Sequence, residues 1–343
     1  MASLVVAFVV VFLLTAAPGR AMIEWLRGLG AKQNVSADAP SAHAAKQGTP
    51  TMGGVMFLVP FVLVVSGILL RHGQVQSEPS LLPVFLLTVA FALIGFADDY
   101  LSKKRDKNQG LTAPQKFLAQ ILIATGFMLW MARSAEPITT QVQVLPSGIL
   151  GLQTFGAVID LGWSYYPLAV LFIVGLSNAT NFTDGLDGLA AGVSILICIV
   201  AAALVWLAHP GLSLYSMALA GGLAGFLWWN AYPAKVFMGD TGSLPIGAAL
   251  AGVALAGKHE VGVIVASLVC WAELISVMVQ VSVFKWRKRS RGLDYAKANR
   301  IFLRTPLHHH FEEMGVKETA IVTRFWIAGA LCASIALLWG RIG

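Results

Sequence analysis

The chain has 343 residues, of which 57% are hydrophobic and only 12% charged, and it carries a formal net charge of +7. So apolar a composition excludes an ordinary soluble domain and a disordered chain, and points to a membrane protein. No basic repeat or aromatic-basic platform accompanies the positive balance, so nucleic acid is not an expected partner. Cys198, Cys270 and Cys332 each lie in an apolar run and provide neither a disulfide framework nor zinc-ligand spacing.

A bilayer core of about 30 Å requires roughly 20 apolar residues per helix. In chain order the qualifying runs are 2–18, 53–70, 81–97, 117–132, 164–178, 188–208, 213–229, 244–256, 261–283 and 320–339. No positive charge precedes the first run, and Arg20 and Arg27 follow it, so it reads as a span and not as a cleaved leader. The run 244–256 is short and rich in glycine. Between the fourth and fifth runs, Thr139 to Leu145 alternates polar and apolar residues before Pro146 and Gly148, which predicts a small hairpin near 139–160. The expected fold is an all-α polytopic membrane protein of about ten transmembrane helices, one catalytic unit over 1–343.

Lysine and arginine collect on the cytoplasmic side of a membrane protein. Assigned to alternate connections, the 24 basic residues divide 20 to 4, with Arg71, Arg133, Lys258 and Arg341 in the minority. Both termini are therefore expected on the periplasmic side of a bacterial inner membrane. With that orientation, every chemically unusual cluster falls on the cytoplasmic face.

Asp98 and Asp99 close the run FALIGFADDY, where two adjacent carboxylates at a helix C-terminus oppose both the macrodipole and each other. A bound divalent metal, or the proton of a nucleophile, would offset that penalty. NATNFTDGLDGLA, residues 178–190, carries Asn178, Asn181, Thr183, Asp184 and Asp187 without a neutralising cation, which suits an all-oxygen Mg²⁺ site or a polar ligand. Asp187 equally suits a cap on the next helix. Asp240 sits in NAYPAKVFMGDTGS, residues 230–243, before the eighth run. Carboxylates delivered from separate helix ends to one face are how Mg²⁺ sites that handle phosphates are built.

The run TPLHHHFE, residues 305–312, has no helical metal-ligand spacing, so His308, His309 and His310 are expected to bind an anion, beside Arg300 and Arg304. KQGTPTMGG, residues 46–54, opens the second run, where a helix N-terminus could cradle phosphate oxygens or the residues could form a plain turn. Glu273 lies inside the ninth run, and its role is open between function and pairing within the bundle.

These five motifs, KQGTPTMGG, FADDY, NATNFTDGLDGLA, NAYPAKVFMGDTGS and TPLHHHFE, in this order, resemble the phospho-N-acetylmuramoyl-pentapeptide transferases of the polyprenyl-phosphate N-acetylhexosamine-1-phosphate transferase superfamily. The likeness runs from about residue 30 to 330. It implies a ten-helix enzyme, a homodimer with an inward-facing, Mg²⁺-dependent site, that joins UDP-MurNAc-pentapeptide to undecaprenyl phosphate and yields lipid I and UMP. By the same likeness Asp98 and Asp99 match the paired catalytic acids, and Asp240, with Asp184, the metal-linked positions. Asn178, Asn181, Asp184, Asn230 and Phe237 match residues lining the nucleotide and metal region, with Phe237 a candidate to stack on uracil. Lys46, Thr51 and Lys116 match polar positions of the same cleft, and His308, His309 and His310 the substrate-side histidines. One departure is the stretch 285–300, KWRKRSRGLDYAKANR, longer than its counterpart and basic enough to meet anionic lipid headgroups. Rival readings are a related transferase with another UDP-N-acetylhexosamine donor, a membrane transporter, and a lipid-binding scaffold.

Overall fold

A computed structural model describes residues 1–29, 48–70, 78–104, 110–134, 137–145, 148–149, 152–153 and 157–339. Lys46 lies outside the described residues. The described helices are α1 (Ala2–Ala16), α2 (Gly19–Gly28), α3 (Gly54–Leu70), α4 (Leu81–Lys104), α5 (Ala113–Arg133), α6 (Tyr165–Thr183), α7 (Leu189–Val205), α8 (Pro210–Asn230), α9 (Asp240–Ala256), α10 (Glu260–Ala266), α11 (Leu268–Arg291), α12 (Leu293–Ala298), α13 (Leu307–Glu313) and α14 (Glu318–Ala336). Each of the ten apolar runs has a helix at its centre, and the protein is a helical membrane protein. Five helices, α4, α5, α8, α11 and α14 with its final turn, are long and apolar enough to cross a bilayer, or six if the bent pair α1 and α2 forms one span.

The predicted hairpin is present. Gln141–Gln143 pairs antiparallel with Val158–Asp160, and within it Gly148–Ile149 pairs with Leu152–Gln153. Lys258 ties this end of the bundle together, donating to Thr139 O at 2.9 Å and meeting Glu260 Oε1 at 2.6 Å.

The short glycine-rich run becomes the centre of the molecule. Every residue of α9 from Thr241 to Ala256 is buried, with α3, α4, α6, α7, α8 and α10 packed around it. A helix that is apolar all round belongs inside protein, and its Gly and Ala residues let neighbouring backbones approach closely. At 1.5 Å per residue α9 is about 25 Å long. Because protein surrounds it, it has no lipid thickness to match.

The closest approach is at Gly95 of α4, where a Cβ would lie 2.0 Å from the carbonyl oxygen of Asp240. Only glycine allows α4 to cross the start of α9 at that height, which brings Asp98 and Asp99 level with Asp240. The sequence reading stopped this helix at the aspartates; α4 instead continues to Lys104, so the pair lies on a helix face more than a turn before its end.

Gly95→Ala is expected to destabilise the protein by about 1–3 kcal/mol, as overpacking does. Gly67→Ala, where a Cβ meets nothing within 4 Å, should be neutral or slightly stabilising. Unfolding midpoints in detergent check the contrast, and equal midpoints for the two variants contradict it.

Candidate active site

Asp98 and Asp99 are neighbours in α4, so their side chains leave the helix about 100° apart. Each therefore meets a different element. Asp99 turns to the start of α9: its Oδ1 accepts the N–H of Asp240 at 3.2 Å, and its Oδ2 accepts the N–H of Thr241 at 2.9 Å and the Thr241 hydroxyl at 2.6 Å. A helix N-terminus is a natural place for an anion. The penalty foreseen at the end of α4 is thus offset by the opposite pole of α9.

Asp98 turns to α5. Its Oδ1 accepts the N–H of Leu111 at 2.9 Å, and its Oδ2 lies 3.3 Å from Lys116 Nζ. Lys116 reaches this point because Pro114 and the bond from Thr112 N–H to Gln115 Oε1, 3.0 Å, set the start of α5. The same ammonium hydrogen-bonds Asp240 Oδ2. Asp240 Oδ1 accepts from Asn181 Nδ2 at 2.7 Å, and Asn181 also donates to Ser243 Oγ at 2.8 Å. One oxygen from each of Asp98, Asp99 and Asp240 lies within 4.8 Å of the others.

Asp184 follows the last residue of α6, and the N–H of Gly239 donates to it. Burial, and after it the charges of Asp240 and Asp99, push its carboxyl well above the ordinary range. Thr51 lies beside Asp99: a Cβ on Gly239 would be 2.6 Å from Asp99 Oδ2 and 3.1 Å from Thr51 Oγ1. Asn178, one turn deeper in α6 than Asn181, donates to Gln120 Oε1 at 2.7 Å and to Val174 O at 2.8 Å. Gln120 is fully buried, and its Nε2 has no hydrogen-bond partner among the described residues. A polar wall therefore descends from the carboxylates between α5 and α6.

Other expected site residues have bracing positions. Asn230 is buried, accepts from Gly188 N–H at 3.0 Å and donates to Val236 O at 2.8 Å. Asp187 does not cap α7, whose N-cap is Gly188; its Oδ2 accepts Ala234 N–H at 2.9 Å, and its own N–H goes to Glu318 Oε1 at 2.8 Å. Phe237 is half-buried, donating its N–H to Pro50 O and accepting from Gly53 N–H, both at 2.8 Å. Gly54 N–H meets Met238 O at 2.9 Å. The start of α3 is thus a turn stitched to 236–238, and these two donors are not available to cradle a phosphate.

The three histidines have different surroundings. His308 is wholly buried, and its ring faces Gly185, where a Cβ would lie 2.1 Å from Nε2. His309 Nδ1 lies 2.5 Å from Glu312 Oε2, and burial pushes its imidazole below the ordinary value although Glu312 pulls upward. His310 Nδ1 accepts Leu303 N–H at 3.2 Å. Thr241, Ser243, Gln120 and Glu318 were not anticipated; Ser243 and Gln120 were signalled by spacing, one helical turn from Asp240 and Lys116.

Among the described residues the ammonium paired with these carboxylates is that of Lys116, which leaves the described part of the cluster with more acidic than basic groups. All its donor atoms are carboxylate oxygens, and an ionised carboxylate offers about four lone-pair sites. That donor set fits a hard divalent cation.

The profile described as "Glycosyl transferase family 4" matches residues 81–258, and "Phospho-N-acetylmuramoyl-pentapeptide-transferase signature 1" matches 46–58. Among curated proteins, the phospho-N-acetylmuramoyl-pentapeptide-transferase of Prochlorococcus marinus (strain NATL2A) is 38% identical over 341 residues, 98% of this chain and 87% of that protein. The protein of the same name from Halalkalibacterium halodurans is 36% identical over 97% of this chain and 96% of its own length. That of Bacillus subtilis (strain 168) is 36% identical over 95% and 94%.

Because the Lys116 ammonium competes with a cation for Asp98 and Asp240, Lys116→Met is expected to tighten Mn²⁺ binding, read by titration against an electron paramagnetic resonance signal. Weaker binding in the variant would contradict competition.

Proposed function

The chain belongs to the phospho-N-acetylmuramoyl-pentapeptide-transferase family, and from that premise we propose that it transfers phospho-MurNAc-pentapeptide from UDP-MurNAc-pentapeptide to undecaprenyl phosphate. The products are lipid I and UMP, and the step belongs to peptidoglycan synthesis. The observation that carries the reading is the convergence of Asp98, Asp99, Asp240 and Lys116, from three helices, on one end of the bundle.

Phosphoryl transfer needs mainly positioning and charge neutralisation. Mg²⁺ held by Asp240 and Asp184 would neutralise the diphosphate and the departing UMP. Lys116, between Asp98 and Asp240, supplies positive charge where the two phosphates must meet. Asp98, fixed through Oδ1 by Leu111 N–H, keeps Oδ2 toward that point and orients or deprotonates the lipid phosphate. Asp99 supports it by holding α9 in register. Both Asp99 oxygens are engaged by the start of α9, which disfavours Asp99 as a covalent nucleophile.

Asn181 fixes the Asp240 rotamer, and Asn178 with Gln120 lines the deeper wall. Thr51 and Phe237 border the same end as donor-binding candidates, with Lys46 ahead of them in sequence. Asn230 and the histidines brace the loops around the cleft. A ten-crossing topology in the inner membrane, with this end toward the cytoplasm, follows the distribution of basic residues. A transporter would keep such groups near mid-membrane, whereas Asp184 and Asp240 sit at the ends of α6 and α9 and Asp98 and Asp99 in the last two turns of α4. The TPLHHHFE run favours the MurNAc-pentapeptide donor over other UDP-N-acetylhexosamines.

Purified protein given Mg²⁺, undecaprenyl phosphate and UDP-MurNAc-pentapeptide is expected to release UMP, and to release none with UDP-GlcNAc or with EDTA. Asp98→Asn and Asp240→Asn should each cut turnover about a hundredfold or more with unchanged melting. Near-normal turnover in either variant would refute that residue's role.

A further inference from the structure

Glu273 is an ionisable group in the middle of the bundle, with no exposed surface. Such a group is costly unless its charge has work to do. Its two oxygens lie 3.2 and 3.3 Å from the N–H of His308, in the first turn of α13. Its Oε1 also lies 3.2 Å from His308 Nδ1, off the line of a full hydrogen bond. His308 is equally buried, and its Nε2 has no hydrogen-bond partner among the described residues.

The contacts form a continuous chain to the carboxylates. Glu273 fixes His308; His308 packs directly on the backbone of Gly185; Gly185 follows Asp184, which accepts the N–H of Gly239, the residue before Asp240. A second attachment lies two turns along the same face of α11. There Gln280 Oε1 accepts Ile301 N–H at 3.2 Å and Phe302 N–H at 3.1 Å, tethering the segment that returns from the basic end of α11.

We propose that Glu273 is a positioning residue for the transfer, acting through His308 to hold the Asp184 loop against the start of α9. It touches no substrate. Glycine is required at 185 because the imidazole occupies the space of a side chain. The first histidine of TPLHHHFE thus serves as a wedge under the acidic loop and not as an anion ligand.

The kinetic part of this inference rests on the transferase reading; the structural part does not. Glu273→Gln and His308→Asn are expected each to lower kcat about ten- to a hundredfold, as losses of supporting groups behind a metal site do, with KM for the UDP-linked donor within about twofold. The double variant should be no slower than the slower single one, because both act along one path. Amide exchange over 184–188 should rise in Glu273→Gln. Multiplicative losses in the double variant, or unchanged exchange over 184–188, overturn the proposal. If Glu273→Gln does not fold, exchange in His308→Asn decides: a loop as protected as in the parent protein overturns it. Absence of turnover in the parent protein would sink the transferase reading and leave the exchange result to judge this one.

Discussion

Three carboxylates held within 4.8 Å of one another repel, and this end of the protein is organised around that repulsion. At an effective dielectric of about 20, two charges at that separation cost about 3.5 kcal/mol per pair. Lys116 lies against Asp98 and Asp240 and returns a similar amount for each. Hydrogen bonds to charged groups contribute about 1.5–3 kcal/mol each, and the start of α9 supplies them to Asp99. Among the described residues, two attractive pairs against three repulsive ones leave a negative surplus, which a divalent cation or a cation-bearing diphosphate would remove. Asp184 feels the same repulsion: burial, and after it the charges of Asp240 and Asp99, raise its carboxyl and so favour its neutral form.

The scaffold makes this arrangement affordable. A central helix rich in Gly and Ala allows α4 to cross it at Gly95, so acids from separate helices reach one level. The opposite end uses the same physics for structure alone. There Glu78 accepts Gly211 N–H at 2.6 Å and Leu212 N–H at 2.9 Å, capping α8 with a buried carboxylate. Burial raises the Glu78 carboxyl above its ordinary value. An anion on a helix start is therefore no sign of chemistry by itself; three acids converging beside one is.

Apolar periodicity marked the positions of the helices well, because a membrane chain has few other ways to satisfy its backbone. The convergence of Asp98, Asp99 and Asp240 was also readable, since each lies where an apolar run meets a polar loop. The division of labour inside the pair was not, because it depends on which neighbour each side chain meets across the bundle. Glu273 stood out as an intramembrane acid, but its partner is 35 positions away, beyond any local pattern. The histidine run looked like an anion site because three imidazoles were counted as equivalent. Folding buries the first, pairs the second with Glu312 and turns the third to Leu303 N–H. Asn230 and Asp187 have the residue types of a ligand shell, and they serve as braces because tight loops between helices leave backbone groups that need partners.

The most direct measurement is a diffraction experiment on protein soaked with Mn²⁺ and UDP, located by anomalous scattering. The account predicts one ion at the start of α9, at about 2.0–2.6 Å from an oxygen of Asp240, the range for oxygen-bound hard cations, with Asp98, Asp99 or Asp184 as a second carboxylate. An ion bound without Asp240, or only at the Glu78 end of the bundle, would contradict it.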